Sequence, residues 1–217
     1  MEELKSVGAS AAVNRIGPIR RGQRLEYWTI AWNGLEGLAA LISGLLAGSI
    51  ALVGFGLDSL IEVISGAALL WRLHHDADEQ KRAAAERIAL RIVGSCFIAL
   101  SLYITYDSLR SLISRKPPEH SIAGIAVAIA SLVVMPLLAR AKRGVAQQLG
   151  STALQADAKQ ADFCMYLAAI VLGGLVLNLW LGWWWADPLA GLIMVPIIAR
   201  EGWSSLQGKA CADGCRH

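Results

Sequence analysis

The chain has 217 residues, of which 55% are hydrophobic and 17% are charged; because about 25% of residues are charged in soluble domains, this balance predicts a membrane protein. A mean hydropathy of +0.49 and eight tryptophans exclude a disordered, fibrous or small disulfide-rich secreted protein. The net charge of +3 is too small to indicate a nucleic-acid partner.

Six stretches are apolar and long enough to form transmembrane helices, each of which needs about 20 residues to cross about 30 Å of hydrocarbon. In chain order they cover residues 28–47, 50–71, 92–113, 121–139, 163–181 and 186–202. The period-two alternation of a membrane β-barrel is absent. We therefore predict an all-α membrane protein with a six-helix transmembrane domain at residues 27–206, between an N-terminal segment (1–26) and a short tail (207–217).

Positive charges indicate the orientation, because cytoplasmic loops hold Lys and Arg in excess. Seventeen of the 20 Lys and Arg residues lie in the N-terminal segment, the second and fourth loops and the tail. The opposite side holds only Arg110, Arg115 and Lys116. We therefore predict a multi-pass protein of the cell membrane, surrounded by the lipid bilayer, with both termini in the cytoplasm.

The sixth stretch is preceded by three tryptophans at 183–185, followed by Ala, Asp187 and Pro188. Tryptophans anchor helices at the membrane interface. Aspartate is a good N-cap, and proline suits the first helical position. We expect the sixth helix to begin near Pro188 with Asp187 as its cap, and we assign Asp187 no role in transport.

An internal repeat appears when residues 49–62 are aligned without a gap with residues 151–164. These segments belong to the second and fifth spans, so the two halves are predicted to be inverted three-helix repeats, as in many secondary transporters. The alignment pairs two acids of the second span with two polar residues of the fifth, Asp58 with Gln160 and Glu62 with Cys164.

Asp58 and Glu62 lie four residues apart, on one face of a helix and inside an apolar run. Carboxylates inside a membrane are costly and by default mark a functional site. The alternative is a pair of acids hydrogen-bonded between helices. Gln160 and Cys164 are also four apart, so the two spans would present Asp-xxx-Glu and Gln-xxx-Cys to each other.

The Ser-x-Ala-Leu segment at 49–52, the small residues after it and the Asp-Ser-Leu-Ile-Glu run at 58–62 resemble the cation diffusion facilitator family. In that family the second and fifth helices each supply two ligands to a divalent metal inside the membrane, usually exchanged for protons. The resemblance implies four metal ligands: Asp58, Glu62, Gln160 and Cys164. The family commonly adds a cytoplasmic metal-binding domain, and a homodimer is a candidate assembly.

The fifth helix would have to begin near Leu149, well before residue 163, with its early polar residues facing a watery cavity. A rival register uses Asp157 or Asp162 as the acid. These two are five residues apart, about 140° around a helix, so they do not share a face. Both remain accessory candidates for proton transfer, and Asp162 is expected at the cytoplasmic mouth with Lys159 as its partner.

Three other assignments have alternatives. Cys164 is either a ligand or a small buried hydrophobe. Gln160 offers an amide oxygen to a metal or makes an interhelical hydrogen bond. Glu36, inside the first span, either relays protons or pairs with a neighbouring helix.

The four histidines all lie outside the predicted spans, at positions 74, 75, 120 and 217. A transmembrane haem cytochrome is therefore excluded, because its axial histidines lie inside the bundle. His74, His75 and Asp76 form a cluster that can collect metal at the cytoplasmic entrance, or a plain solvated loop. The cysteines and histidine at 211–217 match no closed zinc site. No catalytic constellation is visible, so we do not expect an enzyme.

The sequence therefore predicts a divalent cation exporter in which cytosolic metal binds Asp58, Glu62 and Cys164 and protons from outside displace it. This mixed ligand set suits Zn²⁺, Cd²⁺, Co²⁺ or Fe²⁺ better than Mg²⁺ or Ca²⁺. We expect no permanently bound cofactor. The alternatives are a non-transporting membrane metal sensor or partner subunit, and a proton-coupled carrier of organic cations.

Overall fold

The computed structural model describes residues 2–74, 79–114, 119, 121–149 and 152–207, and contains no strand in these ranges. The helices are, in chain order, α1 (Glu2–Ala47), α2 (Ile50–His74), α3 (Glu79–Ser114), α4 (Ile122–Leu149), α5 (Thr152–Leu181) and α6 (Ala186–Leu206). Each helix contains a segment long and apolar enough to cross a membrane. The predicted all-α, six-span, multi-pass membrane architecture is confirmed.

Several helices extend beyond the predicted spans at the end where the sequence predicts the cytoplasm. The segment of α1 that is apolar enough to cross the membrane begins at Gly17, before the predicted start at residue 28. The fourth helix continues past residue 139 to Leu149, and the fifth begins at Thr152, close to the start near Leu149 that the register of Gln160 and Cys164 requires. Some of the polar residues there, such as Glu26 and Lys142, are buried against other helices, whereas others, such as Arg140 and Lys159, are exposed.

The helices pair in a pattern that is the same for both halves of the chain. Within the halves α1 packs against α2 and α4 against α5, while α1 packs against α4, α2 against α5 and α3 against α6 across them. Each half has three crossings, an odd number, so the halves cross the membrane in opposite directions. This arrangement is that of the predicted inverted repeats.

Glycines allow the closest helix contacts. A Cβ added at Gly56 of α2 would lie 2.9 Å from the backbone nitrogen of Leu41 in α1. A Cβ added at Gly94 of α3 would lie 2.8 Å from the carbonyl oxygen of Gly202 in α6. Small residues bring backbones together in this way in membrane helix pairs, where dispersion and interhelical contacts replace the hydrophobic effect.

The bundle has an apolar outside, and its apolar core also contains buried polar groups. Leu46, Ile113 and Trp180 are 77%, 83% and 81% exposed, as expected for side chains that contact lipid. In contrast, sixteen of the described residues that are buried have charged or polar side chains, and seven of these lie on α1 and α2. The molecule therefore keeps its costly polar groups on the faces where helices meet.

The expected role of Asp187 as the cap of its own helix is wrong. The sixth helix begins at Ala186, and its N-cap residue Trp185 makes no side-chain capping hydrogen bond. Asp187 lies in the first turn and is 1% exposed. Its carboxylate faces the start of α2 instead. Asp187 is therefore a capping residue, but it caps α2 and not α6.

Asp187 caps α2 together with Ser49. Its carboxylate oxygens accept hydrogen bonds from Ser49 Oγ at 2.5 Å and from the Ile50 backbone N–H at 2.8 Å. Ser49 Oγ in turn accepts a hydrogen bond from the Leu52 backbone N–H at 3.2 Å. Free N–H groups at a helix N-terminus need such partners, and an anion is favourable there. The start of α2 is thus held by α6.

Candidate metal site

Three ligand-type side chains converge inside the bundle: Asp58 and Glu62 from α2 and Cys164 from α5. They are 4%, 6% and 0% exposed. One ligand atom from each lies within 4.8 Å of those of the other two. Carboxylate oxygens and a sulfur at this spacing can converge on one divalent cation, since such ligands bind transition metals at about 2.0–2.3 Å. We call these three residues the Asp58 cluster.

The position of α2 explains why it can carry two acids. In the most apolar stretch of α2, 67% of the residues are buried inside the bundle, against 28–39% in the corresponding stretches of the other five spans. A four-residue spacing puts Asp58 and Glu62 on one face, one turn apart. Cys164 comes from the helix paired with α2 across the two halves. The site therefore lies at the interface between the two inverted repeats.

The first helix contributes two polar side chains next to the cluster. Asn33 Nδ2 donates a hydrogen bond to Glu62 Oε2 at 2.6 Å. Glu36 Oε2 accepts a hydrogen bond from Ser59 Oγ at 3.4 Å, and the Glu36 carboxylate interacts electrostatically with Asp58 and Glu62. The amide of Asn33 orients the Glu62 carboxylate, and Glu36 adds a third carboxyl group beside the Asp58 cluster.

Gln160 lies one helical turn before Cys164 but has a partner outside the cluster. Its Oε1 accepts a hydrogen bond from Ser65 Oγ of α2 at 3.2 Å, while its Nε2 is buried without a hydrogen-bond partner among the described residues. The structure thus has the interhelical hydrogen bond that the sequence analysis left open. Asp58, Glu62 and Cys164 are brought together, and the role of Gln160 as a fourth ligand stays a prediction.

The two accessory acids of α5 point to different partners. Asp162 accepts a hydrogen bond from Arg143 of α4 at 2.6 Å, and this pair is partly exposed. The expected partner Lys159 is not the one observed. Asp157 forms an ion pair with Lys142 of α4, which places it inside the bundle rather than at the surface.

Lys142 joins two acids in a buried triad. Its Nζ lies 3.2 Å from Glu26 Oε2 of α1 and also contacts Asp157 of α5. Lys142 is 1% exposed and Glu26 is 0% exposed. The sequence analysis counted Lys142 among the charges of the fourth loop, but the continuation of α4 to Leu149 puts it inside the bundle. We call Glu26, Lys142 and Asp157 the Lys142 triad.

Part of the sequence hypothesis falls outside the described structure. His74 is the last residue of α2, whereas His75 and Asp76 lie outside the described residues. The tail at 208–217 also lies outside them. Metal collection at the second loop therefore stays a prediction.

Sequence reasoning missed Glu26 and Lys142, although α1 carries a signal for the first. Its buried polar residues recur every three or four positions, which is the period of one helix face: Glu26, Thr29, Asn33 and Glu36. A hydropathy window averages over all faces and so placed the boundary of the span after Glu26. A search for polar periodicity within each span would have included it.

Comparison with known sequences identifies similar proteins. Residues 29–207 match the profile of the cation efflux transmembrane domain family. The chain is 28% identical over 183 residues to the cation-efflux pump FieF of Shewanella oneidensis, covering 78% of this chain and 59% of that protein. It is 31% identical over 180 residues to an uncharacterized transporter of Methanocaldococcus jannaschii, covering 79% and 62%.

The name of a third similar protein includes three metals. The chain is 27% identical over 176 residues to the cadmium, cobalt and zinc/H(+)-K(+) antiporter of Bacillus subtilis, covering 75% of this chain and 54% of that protein. The chain spans about half to three fifths of the length of the curated relatives it matches.

Proposed function

The chain belongs to the cation efflux family, and on this basis we propose that it carries a divalent metal cation across the membrane, with the Asp58 cluster as the binding site. The observation that carries the proposal is the convergence of two carboxylates and a thiol within 4.8 Å inside the bundle. Such groups are costly in an apolar interior unless a cation or protons balance their charge. A dication bound by Asp58, Glu62 and Cys164 balances two of the three negative charges that these groups carry when all of them are deprotonated.

The choice of ion follows from the ligand chemistry. Carboxylates are hard ligands and a thiolate is soft, so the set favours borderline and soft divalent ions over Mg²⁺ or Ca²⁺. We propose Zn²⁺, Cd²⁺, Co²⁺ or Fe²⁺ as the transported ion. The name of the Bacillus subtilis relative includes cadmium, cobalt and zinc, which supports this choice.

Export in exchange for protons is the proposed mode of transport. Metal ligands must be deprotonated to bind, so protons and metal compete for the same three groups. Protons arriving from outside would displace the ion and reset the carrier. The same relative is named an antiporter that uses H⁺ and K⁺, which supports proton coupling.

The position of the cluster suggests how access alternates. The two helices that provide ligands belong to different inverted repeats and pack against each other. Rocking of one repeat against the other opens such an interface first to one side and then to the other. A ligand from each repeat would keep the ion bound while the surrounding helices move.

The test is metal flux into proteoliposomes that contain the purified full chain, with an imposed pH gradient and a metal-sensitive dye inside. Asp58→Asn removes one negative ligand with little change in shape and should reduce the flux of Zn²⁺ or Cd²⁺ by about tenfold or more, the equivalent of 1.4 kcal/mol. Asp107→Asn is the matched control on α3, and it should leave the flux unchanged.

Two results would contradict the proposal. One is an equal flux for the wild type and the Asp58→Asn variant. The other is metal binding without flux for Zn²⁺, Cd²⁺, Co²⁺ and Fe²⁺ in folded protein, which would instead favour a membrane metal sensor.

A further inference from the structure

A line of buried polar side chains connects the Asp58 cluster with the Lys142 triad. On α1 it runs along one face, where each member is at most 5% exposed: Glu26, Thr29, Asn33 and Glu36. Glu36 and Asn33 are beside the cluster, and Glu26 lies seven residues before Asn33, which is about 10 Å along a helix. Between the two levels, Ser65 and Gln160 form a hydrogen bond from α2 to α5.

The triad already holds a cation. The ammonium group of Lys142 lies between one carboxylate from α1 and one from α5. Three helices thus contribute charges at one buried point. With all three groups ionised, two negative charges face one positive charge.

One carboxylate oxygen of the triad has no partner. Glu26 Oε1 is buried and makes no hydrogen bond among the described residues, although Glu26 is 0% exposed. A buried acceptor without a partner is costly. It therefore indicates a position for a ligand that donates to it or coordinates it.

Along α2, too, the Lys142 triad lies about one helical turn beyond the Asp58 cluster. The Glu26 carboxylate is close to Gly66, where an added Cβ would lie 3.6 Å from Glu26 Oε2. Gly66 is four residues beyond Glu62, hence one turn further along the same face. Because glycine has no side chain, the Glu26 carboxylate of α1 lies next to the α2 backbone at Gly66.

We propose that Glu26 and Asp157 form a second cation-binding site, which the Lys142 ammonium occupies until a divalent metal ion displaces it. Two carboxylates balance a dication fully, whereas one ammonium balances only one carboxylate, so the second acid needs a proton or another cation. The flexible four-carbon stem of lysine lets its charge withdraw while the backbone stays in place. That this site lies on the transport route rests on the proposed function; the binding itself does not.

The alternative is that the triad only ties three helices together. Buried ion pairs contribute little to stability and can often be replaced by apolar residues. The two interpretations differ in what happens when Lys142 is removed. A metal site gains affinity for metal, whereas a purely structural triad only loses stability.

The first experiment measures Cd²⁺ stoichiometry by equilibrium dialysis of the full chain in detergent, after gel filtration and circular dichroism have shown that each variant is folded. Lys142→Ala should bind one more equivalent of Cd²⁺ than the wild type at a concentration that saturates the cluster but is too low to displace the Lys142 ammonium in the wild type. Lys142→Ala combined with Glu26→Gln should lose this gain. Arg143→Ala, which breaks the neighbouring surface pair, should bind as the wild type does.

The second experiment uses the unsubstituted lysine, in case Lys142→Ala does not fold. Acetylation of Lys142 is followed by mass spectrometry with and without Cd²⁺, with the exposed Lys159 as internal reference. Displacement of the ammonium should increase the labelling of Lys142 several-fold relative to Lys159. In Asp157→Asn this increase should disappear.

Unchanged stoichiometry in folded Lys142→Ala, or unchanged Lys142 labelling at saturating Cd²⁺, would overturn the proposal. Asp58→Asn separates it from the proposed function, because this variant should lose the equivalent bound at the cluster and keep the response of Lys142. A Lys142 response in a protein without flux would leave the second site established and the transport function refuted.

Discussion

Cys164 is the one soft donor of the Asp58 cluster, so under the proposed function we expect it to affect the choice of metal most. Cys164→Ser replaces the sulfur with oxygen and keeps both carboxylates, so the site becomes harder. The affinity for Cd²⁺ should fall about tenfold more than the affinity for Mn²⁺, a difference of about 1.4 kcal/mol. Isothermal titration of the purified variants with both ions measures this ratio.

Cys96→Ser on α3 is the matched control, because Cys96 is a free, half-buried cysteine outside the cluster. Its ratio of Cd²⁺ to Mn²⁺ affinities should equal that of the wild type. An equal loss of affinity for both ions in Cys164→Ser would show that the sulfur does not coordinate the metal.

Individual residues also show how far the sequence could predict the site. The Asp58–Glu62 pair follows from helical spacing inside an apolar run, and the repeat placed Cys164 opposite it. Gln160 could not be placed in this way, because the hydroxyl of Ser65 competes for its amide oxygen. Lys142 was taken for a loop charge since only the tertiary structure shows that two acids surround it.

At the scale of helix pairs, the α1–α2 contact is the one that keeps Asn33 and Glu36 beside the two acids of α2. Gly56→Ala would put a Cβ 2.9 Å from the Leu41 nitrogen and 3.0 Å from the Gly37 oxygen, and both are backbone atoms that cannot turn away. We expect a destabilisation of about 1–3 kcal/mol, which lowers the melting temperature by about 2–10 °C in a chain of this size. Tryptophan fluorescence of the detergent-solubilised protein during heating measures it.

Gly34→Ala is the control for this substitution. It lies on α1, and an added Cβ would have nothing within 4 Å. Alanine is a better helix former than glycine, so the melting temperature should stay the same or increase slightly. Equal melting temperatures for the two variants would mean that the close approach of α1 and α2 does not limit stability.

At the scale of the whole molecule, the orientation in the membrane remains a prediction from charge. Without Lys142, which is buried, the excess of Lys and Arg on one side is still large. We expect Lys116→Cys, in a chain whose native cysteines are replaced by serine, to react with a membrane-impermeant maleimide in intact cells. Ala77→Cys should react only after lysis, and the reverse pattern would invert the predicted topology.

The overall architecture was predictable because it depends on hydropathy and on an odd number of crossings in each repeat. The family resemblance, which rested on residues 49–62 and their repeat, is confirmed by the match over residues 29–207. Helix ends were less predictable. Glu26 near the start of the apolar part of α1 and Lys142 near the end of α4 are buried against other helices, and hydropathy alone cannot distinguish such residues from loop residues.

The contact between Asp187 and the start of α2 has a consequence for biosynthesis. The carboxylate that completes the first turn of α2 is 138 positions later in the chain than Ser49. The ribosome therefore releases both acids of the cluster into the membrane long before their helix has its cap. A nascent chain arrested ahead of its final helix would keep the Ile50 amide without the Asp187 carboxylate at the N-terminal end of α2, so the last segment to leave the translocon completes the helix that carries Asp58 and Glu62.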